Sequence, residues 1–146
     1  MCVWRCATDK GRLPTLQEIE ALTAYLPRLY ADDFSPVTNW EGGKQEDGTF
    51  TLPYPIYNQL VQEFFRMAAG EAWADHGYHP EQAARMLKDE DLVKTASLAQ
   101  IRTMLTFCLR GERFSDGHWA QMIEDGHIRR LLERMNEIKS EMKTGE

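Results

Sequence analysis

The densest cluster of reactive side chains in the 146-residue sequence is "RGERFSDGHW", Arg110 to Trp119. Ten consecutive residues carry two arginines, two acids, two aromatics, a histidine and two glycines. An arginine offers a flat fork of donors that fits phosphate or carboxylate in bidentate fashion. Arg110 and Arg113 are therefore candidate holders of an anion, with Phe114, Trp119 and the upstream Tyr54 and Tyr57 as ring-stacking partners. Glu112 or Asp116 could accept from a hydroxyl or amine of the same ligand, or orient the arginines. Free N–H groups at the start of a helix near Gly117 would add an anion-attracting end.

A purely architectural reading of the same residues is equally economical. Arg113 paired with Glu112 or Asp116 would pin a corner between two helices, with Ser115 or Asp116 as an N-cap and Phe114 and Trp119 as core. Buried arginines are costly to place for structure alone, which keeps a ligand in view. His118 and His127 flank the neighbouring short helix and could do acid-base work with Glu112 or Asp116. No nucleophile elbow and no glycine-rich phosphate loop accompanies them.

Other reactive residues point to less. His76 and His79 have no acidic or thiol partner at metal-ligand spacing, so they read as surface histidines, and neither a metal nor a cofactor is expected. Cys2, Cys6 and Cys108 are an odd number without framework spacing, which reads as reduced thiols, with Cys108 in a core. Trp40 stands in a turn-rich segment, free to make contacts or to fold back onto the body.

The elements that must position these groups follow from periodicity. "TLQE" from Thr15 is a capping box, and Leu16, Ile19, Leu22, Leu26 and Leu29 recur at helical spacing over about four turns, with Pro27 forcing a kink or stop. Residues 34–55 lose that period. "TNW" and "TFTLPY" around "EGGKQEDG" suit a short hairpin, or else a mobile loop. Pro55 suits the first turn of a second helix whose apolar face is Ile56, Tyr57, Leu60, Val61, Phe64, Phe65 and Ala68, running to about His76 with Gly77 as terminator. A third helix spans Pro80 to Lys88. Ser97 caps a fourth carrying Leu98, Ile101, Leu105 and Cys108 or Leu109. A short helix through Trp119, Met122 and Ile123 stops at Gly126, and a final helix from about Ile128 to Met142 carries an apolar stripe, with Arg129 and Glu133 paired on its solvent side.

The expectation is a mainly α protein: one compact domain of about five or six helices over residues 15–143, a flexible segment over 1–14 and a tail over 144–146. The composition, 42% hydrophobic and 27% charged, is that of a soluble globular chain. No apolar run can span a bilayer and the N-terminus lacks a secretory pattern, so a cytoplasmic location is expected. The net charge of −6 opposes non-specific binding to nucleic acid or anionic membranes.

The C-terminal half, "ASLAQIRTMLTFCLRGERFSDGHWAQMIEDGHIRRLLERMNEI", resembles a bacterial and phage family, domain of unknown function 6508. The resemblance rests on Arg110, Glu112, Arg113, Phe114, Asp116, Gly117, Gly126 and the run Leu131 to Met135, with "LPYPIY" matching the entry to the second helix. It is strongest from Ala96 to Ile138. Ser115 stands where the family pattern carries a cysteine, so a thiol nucleophile there is excluded. The resemblance implies a fold and no activity, and it permits a phage or mobile-element setting without showing one.

Three functions remain. The first is a non-enzymatic binder that sequesters a nucleotide-like anionic metabolite or signal at the Arg110/Arg113/Trp119 corner, in an anti-defence role. The second is a protein-interaction module or inhibitor of a host complex, with self-association as a homodimer also open. The third is an enzyme using Glu112, Asp116 or His118.

Overall fold

The structure, a computed structural model, describes residues 13–144. Cys2 and Cys6 lie outside that range, as does nearly all of the segment expected to be flexible. A helical body carries one antiparallel hairpin, and the described residues form a single domain. Helix α1 (Leu16–Thr23) opens on the expected capping box: the Thr15 hydroxyl accepts from Glu18 N, and the Glu18 carboxylate accepts from Thr15 N. Pro27 ends it early. A one-turn α2 (Leu26–Leu29) follows with Pro27 in its first turn, where the missing N–H costs no hydrogen bond.

Strands β1 (Val37–Lys44) and β2 (Phe50–Tyr57) form the hairpin. Its tip closes through Gln45 N to Thr49 O at 2.8 Å, and the Asp47 carboxylate accepts from both the Thr49 N–H and its hydroxyl. The second helix starts later than the sequence suggested. Pro53 and Pro55 keep Leu52 and Tyr54 extended, because a residue before proline is driven out of the helical region. Pro55, Ile56 and Tyr57 therefore finish β2, and Asn58 caps α3 (Gln59–Ala68) by accepting from Leu60 N at 3.0 Å. Ile56, expected on the buried face of a helix, is instead partly exposed on the hairpin.

Helix α3 also stops sooner than expected, at Ala68 rather than near His76, and Gly77 is not left-handed. The segment 70–79 is held in irregular form by the next long helix, α6 (Leu98–Arg110). There Arg102 Nη2 donates to Ala74 O at 2.6 Å, Thr106 Oγ1 accepts from Asp75 N at 3.0 Å, and the Thr103 hydroxyl donates to the Asp75 carboxylate at 2.7 Å. The first two bonds satisfy backbone groups that a longer α3 would have paired internally, and the third anchors the Asp75 side chain. Trp73 is buried within the segment.

Helices α4 (Pro80–Lys88) and α6 fall where expected, with Ser97 and Gln100 forming a second capping box. A short α5 (Glu90–Lys94), capped by Asp89, lies between them. After α6 come a 3-10 turn (Gly111–Arg113), α7 (His118–Glu124) and α8 (His127–Thr144). Gly126 ends α7 with φ +84°. Six of these helices have seven or more residues.

Helix α8 is the hub. It packs against α1, α2, α5, α6 and α7, and Ile128, Leu131, Leu132 and Met135 are fully buried. Arg129 and Glu133 form the expected pair at 3.6 Å. The Tyr30 hydroxyl ties the α7–α8 corner, donating to Ile123 O at 2.8 Å and accepting from Arg129 N at 3.0 Å. No helix is long and apolar enough to cross a membrane among the described residues.

Candidate functional site

The corner after α6 is organised by one carboxylate. Glu112 Oε1 accepts from the Tyr57 hydroxyl at 2.7 Å and from Trp119 N at 2.8 Å, while Oε2 accepts from Gly117 N at 3.0 Å. Two of these donors are the otherwise unpaired N–H groups at the start of α7. The expected cap, Ser115 or Asp116, is not used: the N-cap residue is Gly117, at φ +92°, and its own side chain has nothing to offer. The capping oxygen comes instead from five residues upstream, which ties the helix end to the hairpin through Tyr57. Burial and the adjoining Glu112 charge both push the Tyr57 hydroxyl pKa up, so it stays a donor.

Because Glu112 is committed in this way, it does not neutralise the arginines. Neither Arg110 nor Arg113 has a carboxylate within ion-pairing distance among the described residues. The Arg110 guanidinium lies over the Tyr78 ring, 5.2 Å from its centre. Arg113 is exposed. Both border a cleft of about 430 Å³ together with Glu112, Trp119, Thr106, Leu109, Ala69, Ala74 and the exposed pair Glu71 and His76.

Trp119 forms part of the wall. Its ring stacks on Phe65 at 4.6 Å and 9°, it meets Tyr57 at 5.2 Å, and its indole N–H donates to Leu109 O at 2.8 Å. One ring face is therefore already occupied by Phe65. A second lobe of about 480 Å³ adjoins, sharing Ala69, Leu109 and Trp119 and adding Tyr57.

Of the residues singled out from sequence, Arg110, Glu112, Arg113 and Trp119 meet at the first cleft and Tyr57 at the adjoining lobe. The others are elsewhere. Phe114 projects into solvent, 84% exposed. Tyr54 sits out on the hairpin with its hydroxyl 3.3 Å from Glu41. Asp116 borders a different groove, beside Trp40 and Gly117. Trp40 folds back far enough that a Cβ on Gly117 would lie 3.3 Å from its ring.

His118 turns away from the cleft into a notch over Gly111, in space that any side chain at position 111 would fill. It packs edge-on against Phe107, and its Nε2 is buried without a hydrogen-bond partner. Burial lowers the His118 pKa, outweighing the Phe107 backbone and the Glu112 charge, which act the other way. Burial also lowers His127, aided by Arg130, His118 and Lys88 against Asp125, and its Nδ1 faces Arg130 Nη2 at 2.9 Å.

Both imidazoles thus bind protons less readily folded than unfolded. Below the ordinary value of 6.5 the unfolded chain takes up more protons, so the folded state loses stability as pH falls from 6.5 towards the lowered native values. Above 6.5 the contribution is fully present. Urea midpoints at pH 7.5 and 5.5 should differ in that sense, and the double variant His118→Gln/His127→Gln should flatten the difference. Identical midpoints in the parent protein would contradict the expectation.

Sequence reasoning did not find Arg102, Thr103 and Thr106, which hold the 70–79 wall of the cleft. The available signal was a charged residue at position 102 beside Ile101 and Leu105 in an apolar stripe. Arg102 is only 7% exposed. No cluster of histidine, cysteine, aspartate or glutamate able to hold a metal occurs among the described residues. Cys108 is fully buried, and burial pushes its thiol pKa up.

No curated protein and no solved structure matches the chain. The model of a family of unknown function, DUF6508, matches residues 14–141, from the entry to α1 almost to the end of α8 and across every residue of the corner. The chain belongs to that family.

Proposed function

We propose that the protein is a non-enzymatic binder of a small anionic, nucleotide-like ligand, held in the cleft bordered by Arg110 and Arg113. The observation that carries this reading is the absence of a carboxylate partner for either arginine among the described residues, although the one acid between them, Glu112, is spent on a helix end. A guanidinium without an ion-pair partner at a concave site is available for bidentate contact with phosphate or carboxylate. The cleft volume of about 430 Å³ lies in the range of small-molecule sites. Such a protein would act by sequestration.

Isothermal titration of the purified protein with nucleoside monophosphates tests the reading. Binding should weaken at least tenfold in Arg113→Ala and in Arg110→Ala, while each variant keeps its unfolding midpoint. It should also weaken with added salt, as contacts to exposed charge do. Unchanged affinity in both variants, or no binding of any anion, would overturn it.

A second reading, a protein-interaction module, is favoured by the hairpin. Phe50 and Leu52 are 66% and 76% exposed on β2, and Tyr54 and Ile56 continue the same face. A contiguous exposed apolar strip is characteristic of contact surfaces. Loss of a captured partner in Leu52→Asp, with nucleotide affinity unaltered, would favour this reading over the first.

A further inference from the structure

The lobe beyond Trp119 adjoins the arginine cleft. Its walls are Pro55, Ile56 and Tyr57 from the end of β2 and Phe65 from α3, closed by Leu109 and Trp119. These are flat or rigid apolar groups. At its lip stand Gln62 and Arg66, one turn apart on the exposed side of α3. The Gln62 amide is fixed, donating from Nε2 to Tyr57 O at 3.0 Å, which leaves its carbonyl oxygen as an acceptor. Arg66 supplies donors and a cation. Where this lobe meets the arginine cleft, the shared residues are Ala69, Leu109 and Trp119, and Ala69 raises no more than a methyl group between them.

We propose that this second lobe is a ring subsite, so that the ligand has two parts: an anionic head at Arg110 and Arg113 and a planar heterocycle seated between the Pro55–Tyr57 segment and α3. The proposal rests on the anion-binding reading above and goes beyond it by naming what lies on the far side of Trp119. A hydrocarbon chain would satisfy the walls and strip water from Gln62 and Arg66 without replacing it, which is unfavourable. A heterocycle offers apolar faces to the walls and polar ring edges to the amide and guanidinium, and Arg66 can also lie over its π face. The part of the ligand that discriminates is then read by Ile56, Gln62 and Arg66, outside the motif that holds the charge.

Calorimetric titration with three probes separates the parts: adenosine 5′-monophosphate, ribose 5-phosphate, which has the head and sugar without the planar base, and adenosine, which has the base without the head. The parent protein should bind the nucleotide at least tenfold more tightly than ribose 5-phosphate. Ile56→Ser, a neutral change at a hairpin position 36% exposed, should bring the nucleotide down towards the ribose 5-phosphate level and leave ribose 5-phosphate unchanged. Arg66→Ala should act in the same direction by several-fold. Equal affinities for nucleotide and ribose 5-phosphate in the parent, or equal losses for both in Ile56→Ser, would overturn the ring subsite with the anion site intact. Binding of adenosine that depends on Ile56, with no binding of ribose 5-phosphate, would support the ring subsite and remove the anion reading. No binding of any of the three would remove both.

Discussion

Glu112→Ala should lower the unfolding free energy by about 3 kcal/mol, since hydrogen bonds to a charged acceptor contribute roughly 1.5–3 kcal/mol each and their losses overlap. Three donors lose their acceptor at once: the Tyr57 hydroxyl and the N–H groups of Gly117 and Trp119. Water can reach part of this half-buried corner and replace some of what is lost, which is why the figure stays well below a threefold sum. Glu112→Gln keeps one acceptor oxygen but turns an amide NH₂ towards a donor, so it should fall between the two. Tyr57→Phe removes a single donor and should cost about 1 kcal/mol. In a domain of this size each kcal/mol shifts the melting temperature by about 2–4 °C, so the three variants are resolvable by thermal or urea unfolding. The ordering Ala, then Gln, then Phe is the test. Glu112→Ala unfolding within about 0.5 kcal/mol of the parent would show that the carboxylate is not the cap of α7.

Gly111→Ala should destabilise the protein by about 2 kcal/mol, within the range of overpacking at a filled site. Backbone preference argues the opposite. Gly111 has φ −59° and ψ −24°, a conformation alanine adopts freely, and removing a helical glycine ordinarily gains about 0.5–1 kcal/mol. Sterics decide between them, because a Cβ at position 111 falls within the His118 imidazole. Swinging the ring away would give up its edge-on contact with Phe107. A double-mutant cycle gives the discriminating result: Gly111→Ala made in a His118→Ala background should be neutral or stabilising, with a coupling of at least 1 kcal/mol. Gly111→Ala stabilising the parent protein would mean that the notch relaxes freely and that propensity governs the position.

Helix ends marked by local chemistry were legible from sequence. Thr15 with Glu18 closes a capping box within four residues, Ser97 caps α6, Pro27 stops the first helix and is accommodated only in the first turn of the next, and Gly126 supplies the left-handed turn before α8. The stripe Ile128, Leu131, Leu132, Met135 likewise fixed which face of α8 is buried. Elements failed where the deciding partner lay far along the chain. Local propensity extends α3 through "AAGEAWADHG", yet Arg102, Thr103 and Thr106 claim the backbone and the Asp75 side chain there. The reading of Pro55 as a helix start missed that Pro53 and Pro55 together enforce extended chain.

The same division runs through the site. The residues 110–119 by themselves determined that two arginines, an acid and an indole would lie close together, because ten residues at a helix-to-helix corner cannot separate them far. They did not determine which charge would meet which. A carboxylate next to arginine in sequence is equally able to pair with it or with the free N–H groups of a helix start. Only the tertiary structure brought the Tyr57 hydroxyl and the α7 N-terminus to Glu112, and that arrangement left Arg110 and Arg113 at a cleft with no carboxylate in ion-pairing distance of either among the described residues. It also sent His118 into the Gly111 notch, Phe114 into solvent and Asp116 to another groove, since each goes where packing space and unpaired backbone groups across the fold allow.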